Sequence, residues 1–245
     1  MRNAFRDFFR RRRIKRHERA NGPRYSYHGL EVEVPVRVGV GVCNALLRGK
    51  YEPDEAAMIL KHLPGDLPVI ELGGSLGVIS RLVRSRLAAD TRHLIVEANR
   101  DLVDICNANA QRDAAPGATE VINAALYYDG PVARFGIGRD VHTSALDDGR
   151  GGANLVEVPA ITFSQLCERI GSSSQLSLVS DIEGGEYDLF FRETDLLNRI
   201  DTAIVELHPQ SYAASGGSIE AFLRQCEGAG FRLIDQQMDV FVFKR

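Results

Sequence analysis

From residue 68 onward the chain alternates between short apolar runs and longer stretches whose apolar residues recur at helical spacing. The runs Val69–Leu72, His93–Val96, Glu120–Asn123, Leu176–Ile182 and Thr202–Leu207 read as strands, with helices over Leu76–Leu87 and Leu102–Gln111 between the first three. Val132–Gly138 and Leu155–Ile161 read as further β pieces separated by the loop "DDGRGGAN". Thr162–Ile170, Glu186–Leu197 and Ser218–Ala229 carry helical spacing, and "FRLIDQQMDVFVFKR" closes as two β runs around a turn near Gln236–Asp239. Upstream, Tyr25–Val42 alternates in the β manner around His28 and Gly29, with Pro35 interrupting, and predicts a hairpin. "EPDEAAMILKHL" then opens a helix at Pro53, with Met58, Ile59 and Leu63 on one face.

Alternating strands and helices predict an α/β fold with a mostly parallel central sheet and helices on both faces. The closing hairpin adds an antiparallel C-terminal strand beside the parallel set, the arrangement of class I methyltransferases rather than of a simple dinucleotide-binding dehydrogenase. Three segments follow: a basic N-terminal arm over 1–24, a hairpin-and-helix extension over 25–67, and a ligand-binding α/β domain over 68–245.

Composition adds little. The chain is 44% hydrophobic and 26% charged, and no apolar run approaches the ~18 residues of a membrane span or resembles a signal peptide. The distant cysteines Cys43, Cys106, Cys167 and Cys226 form no C-x-x-C pair, which argues against structural zinc and a disulfide framework and points to a cytoplasmic protein. Charge adds more. The net of −3 hides nine Lys/Arg in residues 1–19 against Asp7 and Glu18, a net of +7, so the other 226 residues carry −10. Such an arm suits an anionic membrane or nucleic acid, while the acidic body disfavours a nucleic-acid substrate. Phe5, Phe8 and Phe9 would share one side of a helix, which favours peripheral membrane contact; a solvated, partly frayed tail is the plainer reading of the same residues.

The candidate chemistry begins at the glycine break of "VIELGGSLGVIS", at the C-terminal end of a buried strand, where parallel sheets hold ligands. Gly73, Gly74 and Gly77 allow a sharp turn and close backbone approach, and the next helix aims its free N–H groups at the same spot. The dinucleotide fingerprint G-x-G-x-x-G is missing, since Ser75 and Val78 stand at the required positions after Gly73. Glu71 in the turn disfavours a pyrophosphate and suits a cation such as S-adenosylmethionine, with its ammonium and sulfonium. Glu97, 20 residues after Gly77 at the next strand tip, is placed to accept ribose hydroxyls of that ligand or of NAD. "LSLVSDIEGGEYDLFF" then delivers Asp181, Glu183 and Glu186, and "TAIVELHPQSY" ends a strand on Glu206 and His208, so acids from adjacent tips converge on one cleft. That set allows magnesium without requiring it, and no residue is assigned to a metal.

Taken in order, "VIELGGSLGVIS", "LIVEAN", "INAAL", "SDIEGGEYDLF" and "AIVELHP" resemble the FkbM-type methyltransferases, from about Pro68 to the C-terminus. "DIEGGE" followed by "VELH" is the more specific part. The resemblance implies a Rossmann-like class I methyltransferase fold, S-adenosylmethionine as cofactor, and O-methylation of a sugar or related hydroxyl. It makes Glu71, Gly73, Gly74 and Gly77 the loop at the methionine end and Glu97 the ribose acceptor. It sets Asn123 and Ala124 near the adenine and Asp181 near the transferring methyl. Ser75 stands where Asn is expected, Ser180 where Lys often precedes the acid, and Glu71 where Asp is usual.

For the proton of an acceptor hydroxyl, His208 is the expected general base, as a neutral imidazole tuned by Glu206; Asp181 is the alternative base or an orienting group. His142 in "DVHTSAL" reads as an exposed loop histidine. The acidic cleft suits a neutral, hydroxyl-rich acceptor, a glycan precursor or, if the arm meets anionic lipid, a lipid-linked glycan. Two other classes fit parts of the pattern. An NAD-dependent oxidoreductase lacks its fingerprint here, and a non-catalytic binding module has no need of Glu71, Glu97 and Asp181 at strand tips.

Overall fold

The computed structural model describes residues 2–136, 145–146, 155–171, 175–214 and 216–245; His142 and the loop "DDGRGGAN" lie outside them. The chain begins with α1 (Arg2–Asn21), β1 (Arg24–Tyr27), β2 (Leu30–Glu33), α2 (Val40–Leu47) and α3 (Pro53–His62). The α/β alternation follows as β3 (Val69–Leu72), α4 (Val78–Arg86), β4 (His93–Glu97), α5 (Arg100–Ala110) and β5 (Thr119–Asn123). Four short strands come next, β6 (Ala125–Leu126), β7 (Val132–Gly136), β8 (Ala145–Leu146) and β9 (Leu155–Ile161), then α6 (Phe163–Ile170). The chain closes with β10 (Leu176–Ser180), α7 (Gly185–Arg192), β11 (Ile200–Glu206), α8 (Pro209–Ala214), α9 (Ile219–Gly228), β12 (Arg232–Gln237) and β13 (Val240–Lys244).

Seven strands form the central sheet in the order β12-β13-β11-β10-β3-β4-β5. The five from β11 to β5 are parallel, while β13 pairs antiparallel with both β11 and β12. Strands in the middle are buried along their whole length because helices cover both faces. On one face Val69, Val179, Ile204 and Val242 meet Ile59, Leu82, Val83 and Ile105 from α3, α4 and α5. On the other, Ile70, Leu178, Val205 and Phe243 meet Leu166, Phe190 and Phe222 from α6, α7 and α9. Each of these fully buried side chains stabilises the fold by about 1.5–3 kcal/mol. A smaller sheet, β6-β9-β7-β8, follows from the β pieces around residues 125–161.

The hairpin turn at His28 and Gly29 has positive φ at both residues, 49° and 82°, the geometry of a tight two-residue hairpin. The β reading nevertheless runs too far. Val36–Val38 is a 3-10 turn and Val40–Leu47 is helix, not strand. Pro35 ends the ladder, and Val42, Cys43 and Leu46 then bury one helical face, so the alternation of Val36, Val38, Val40 and Val42 was local. The helix expected over Glu186–Leu197 is interrupted: α7 stops at Arg192, Glu193 leaves helical geometry at φ −114° and ψ 42°, and a 3-10 stretch covers Thr194–Arg199. The arm is helical over Arg2–Asn21 and docks through Ile14, which is buried.

Gly77 starts α4 in the left-handed region, at φ +70°, and a Cβ there would lie 2.5 Å from the Cys106 carbonyl oxygen on α5. Gly77→Ala is therefore expected to lower the thermal unfolding midpoint by roughly 4–10 °C, about 2–3 kcal/mol for a chain of this size. Gly41→Ala, on α2 with nothing within 4 Å of the added Cβ, is the control and should leave the midpoint unchanged or slightly raised. Equal shifts for the two, by circular dichroism melts, would rule out the α4–α5 approach as the cause.

Candidate active site

The parallel strands pair at matching levels, Ser177 with Val69, Val69 with His93 and His93 with Thr119, so their C-terminal ends form one rim. Beyond it lies an open cleft, at the place where parallel sheets hold ligands. Gly73, Gly74 and Ser75 line it after β3, Glu97, Ala98 and Asn99 after β4, and Ala124 to Leu126 after β5. Asp181, Ile182 and Glu183 line it after β10, and Tyr51, Glu52 and Glu55 enter from the start of α3.

Gly73 has φ +93°, and a Cβ on it would sit 2.0 Å from the Asp181 carbonyl oxygen, so the β3 and β10 ends touch through glycine. Ser75, at φ 46°, donates its N–H to Glu97 Oε2 at 2.6 Å, and Asn99 donates its own to Oε1 at 2.6 Å. Each carboxylate oxygen keeps a lone pair, so Glu97 can still accept a ribose hydroxyl. Asn123 does not line the cleft. Its Nδ2 donates to the carbonyls of Glu97 and Ala98 at 2.8 and 3.1 Å and so holds the β4 tip in place.

Glu71 does not reach the cleft either. It is buried in β3, where it accepts from Ser80 Oγ at 2.5 Å and His93 Nε2 at 2.8 Å. Both partners lie inside the sheet layer, so its carboxylate is held there rather than among the residues that line the cleft. Gly77 also lies off the cleft lining and serves the α4–α5 approach.

His208 and Glu206 stand at the edge beside Asp181, and one donor atom from each of the three falls within 4.8 Å of the others. His208 Nε2 faces Asp181 Oδ1 at 3.4 Å and Glu183 Oε2 at 3.6 Å. Its Nδ1 lies 3.2 Å from Glu186 Oε1, so Glu186, not Glu206, is its hydrogen-bonding acid. Glu186 is fully buried and also accepts from the Tyr212 hydroxyl at 2.7 Å and the Gly184 N–H at 3.0 Å. Tyr51, Glu52, Glu55 and the pairing of Glu186 with His208 were missed in the sequence. The three acids of "YEPDE" at a helix start were the available signal.

The strand order and the glycine-turned cleft at the parallel rim define a Rossmann-like class I methyltransferase fold. Residues 73–233 match the methyltransferase FkbM domain, and the chain belongs to that family of S-adenosylmethionine-dependent methyltransferases. No curated protein matches the sequence. Among solved structures, a protein of the NADB-Rossmann superfamily from Streptococcus agalactiae is similar at TM-score 0.46 and 8% identity, over 78% of this chain and 67% of that one. The METTL16 MTase domain is similar at 0.46 and 12%, over 88% and 72%. M. capricolum TrmK, in complex with S-adenosyl-homocysteine, is similar at 0.41 and 6%, over 77% and 65%, so this chain spans just under two thirds of it. Identities this low leave the acceptor to be read from the chain's own residues.

Crowding of acids decides the charge of the cleft. Burial and then Glu206 push the Asp181 carboxyl up to about 8, against the pull of His208. Burial, with Asp181 and Glu71 adding, pushes Glu55 well up, and burial raises Glu97 and Glu206. For His208 burial alone would lower the value, but the Glu186 hydrogen bond and the surrounding carboxylates outweigh it and raise it to about 9. His208 thus holds its proton more tightly than a free imidazole, where the sequence reading expected a neutral ring.

Both shifts have one sign for folding. Asp181 and His208 hold protons in the folded state that the unfolded chain releases above about 4 and 6.5, so stability falls as pH rises through about 8 and 9. The ligand-free protein is expected to melt higher near pH 6 than near pH 9, and Asp181→Asn to flatten that slope and to raise the midpoint most at the alkaline end. A midpoint that climbs with pH in the unliganded protein would contradict this charge assignment.

Proposed function

We propose that the chain transfers the methyl group of S-adenosylmethionine to a hydroxyl of a neutral sugar or glycan precursor. The observation that carries this reading is the Glu186–His208–Asp181 array at the edge of an acid-lined cleft. The donor set fits the cofactor: Glu97 has acceptor capacity for a ribose, and Glu52, Glu55 and Asp181 line the cleft with carboxyl groups suited to a cationic ligand. When bound, the cofactor supplies a methyl group already made electrophilic by its sulfonium.

The protein's task is to hold the acceptor and take its proton. Glu186, fixed by Tyr212 and Gly184, keeps a proton on His208 Nδ1 and turns Nε2 toward Asp181 and Glu183. The arrangement parallels the buried acid that orients the histidine of a Ser–His–Asp triad. Nε2 takes the hydroxyl proton once it has released its own to solvent, and any cation in the cleft lowers the pH at which that happens. No lysine or arginine is among the described residues that line the cleft to pair with a phosphorylated or carboxylated acceptor, so neutral hydroxyls are the better fit.

With methyl-labelled donor and a panel of neutral sugars and glycan precursors, the expected product is a methyl ether stable to mild alkali. Alkali-labile label, or label on an amine, would overturn the O-methylation reading. Turnover is expected to rise with pH toward about 9, reporting the pair rather than one residue. His208→Ala should lower kcat at least about tenfold while the Kd for S-adenosylhomocysteine stays within roughly threefold. Glu186→Gln should lower kcat and displace the pH profile, which a purely structural role would not do; wild-type turnover in His208→Ala removes the array from the mechanism.

A further inference from the structure

The helix α1 has two sorted sides. Among residues 8–21 only Ile14 is buried, and Arg10 and His17 beside it are half-buried. Arg13 Nη1 donates to Asn44 Oδ1 at 3.3 Å, and His17 Nε2 lies 2.7 Å from the Arg24 carbonyl with its ring stacked on Tyr25 at 4.5 Å. At about 100° per residue, the side opposite Ile14 carries Phe8, Phe9, Arg12, Lys15, Arg16 and Arg19, all exposed. Glu18, the one acid among residues 8–21, falls on the Ile14 side. Among residues 8–21 the exposed side is thus cationic and aromatic and carries no carboxylate. Phe8 and Phe9 are 58% and 46% exposed and touch edge-on at 5.5 Å.

We propose that this outer face of α1 docks the protein on an anionic lipid bilayer, with Phe8 and Phe9 entering the interfacial layer and Arg12, Lys15, Arg16 and Arg19 meeting the headgroups. Charge complementarity commits the face to an anionic partner, and the two rings choose between partners. A duplex backbone needs cations alone, whereas a bilayer also rewards burial of aromatic rings lying beside them; single strands, which stack on such rings, are an arm of the test. A flat surface engages the arm without wrapping the remaining 226 residues, whose net charge is −10. Each cation brought to such a surface multiplies partitioning by about fivefold.

The test is co-sedimentation of the full chain with vesicles of phosphatidylcholine alone and with about 30% phosphatidylglycerol added. Binding is expected only to the anionic vesicles, and to weaken at least about tenfold between roughly 0.1 and 0.5 M salt. R12A/R16A should weaken it by about twentyfold and F8S/F9S by about tenfold, with thermal midpoints unchanged because all four sites are exposed. Arg232→Ala, exposed on β12, should bind as the parent does. Absent binding, equal binding to neutral vesicles, or parental binding by both double variants overturns the proposal. So does tighter salt-sensitive binding of single-stranded RNA, or self-association, lost in R12A/R16A; these assign the face to nucleic acid or to a second copy. The readout involves neither cofactor nor acceptor, so it fails or succeeds independently of the methyl-transfer reading.

Discussion

Two strand ends in this molecule lie closer than any side chain would allow. The Asp181 carbonyl oxygen occupies the space where a Cβ on Gly73 would point, and the Asp181 N–H bonds to the Leu72 carbonyl at 2.9 Å. That approach sets the acid at the end of β10 beside the turn that follows β3. The same turn carries Ser75 to Glu97, so one close contact relates three strand tips. The rest of the rim follows from the level pairing of the parallel strands, which leaves their C-terminal residues facing one space.

Into that space the chain puts more carboxyl groups than its own cations can match. Glu52, Glu55, Glu97, Asp181 and Glu183 line the cleft and Glu206 stands beside it, against His208. Glu71 shows the alternative, an acid wholly satisfied by Ser80 and His93 inside the sheet layer. Among the cleft acids, burial and mutual repulsion raise Asp181 and Glu55, so both hold their protons more tightly than free carboxyls do. Stability given up in this way at a site is the usual companion of binding function, and a cationic ligand relieves it.

Much of this was legible in the sequence because the strongest signals were local. Buried runs bounded by helical spacing gave away β3, β4, β5, β10 and β11, and glycine clustering marked the turn at the right strand end. What was misread depended on contacts between distant segments. Glu71 looked like a ligand-facing acid, yet its orientation is decided by His93, 22 residues on and one strand across. Glu206 looked like the partner of His208 because it is two residues away, whereas Glu186 reaches it from α7. Tyr51, Glu52 and Glu55 carry no motif that ties them to a glycine turn beyond residue 72; packing of α3 against α4 and β11 brings them there. The valines of 36–42 failed for the opposite reason, since alternation over so few residues is compatible with a turn and the start of a helix.

The single buried isoleucine on α1 also sets how firmly that helix is held. Burying one such side chain contributes about 1.5–3 kcal/mol, far less than the cooperative stability of a seven-stranded sheet. Arg13 on Asn44, and His17 on the Arg24 carbonyl and the Tyr25 ring, add to it, so α1 is expected to open before the sheet does. Its amide protons will exchange with solvent long before those of β3 or β10. Lifting the arm would also expose Ile14, so a detached helix would present apolar residues on both sides.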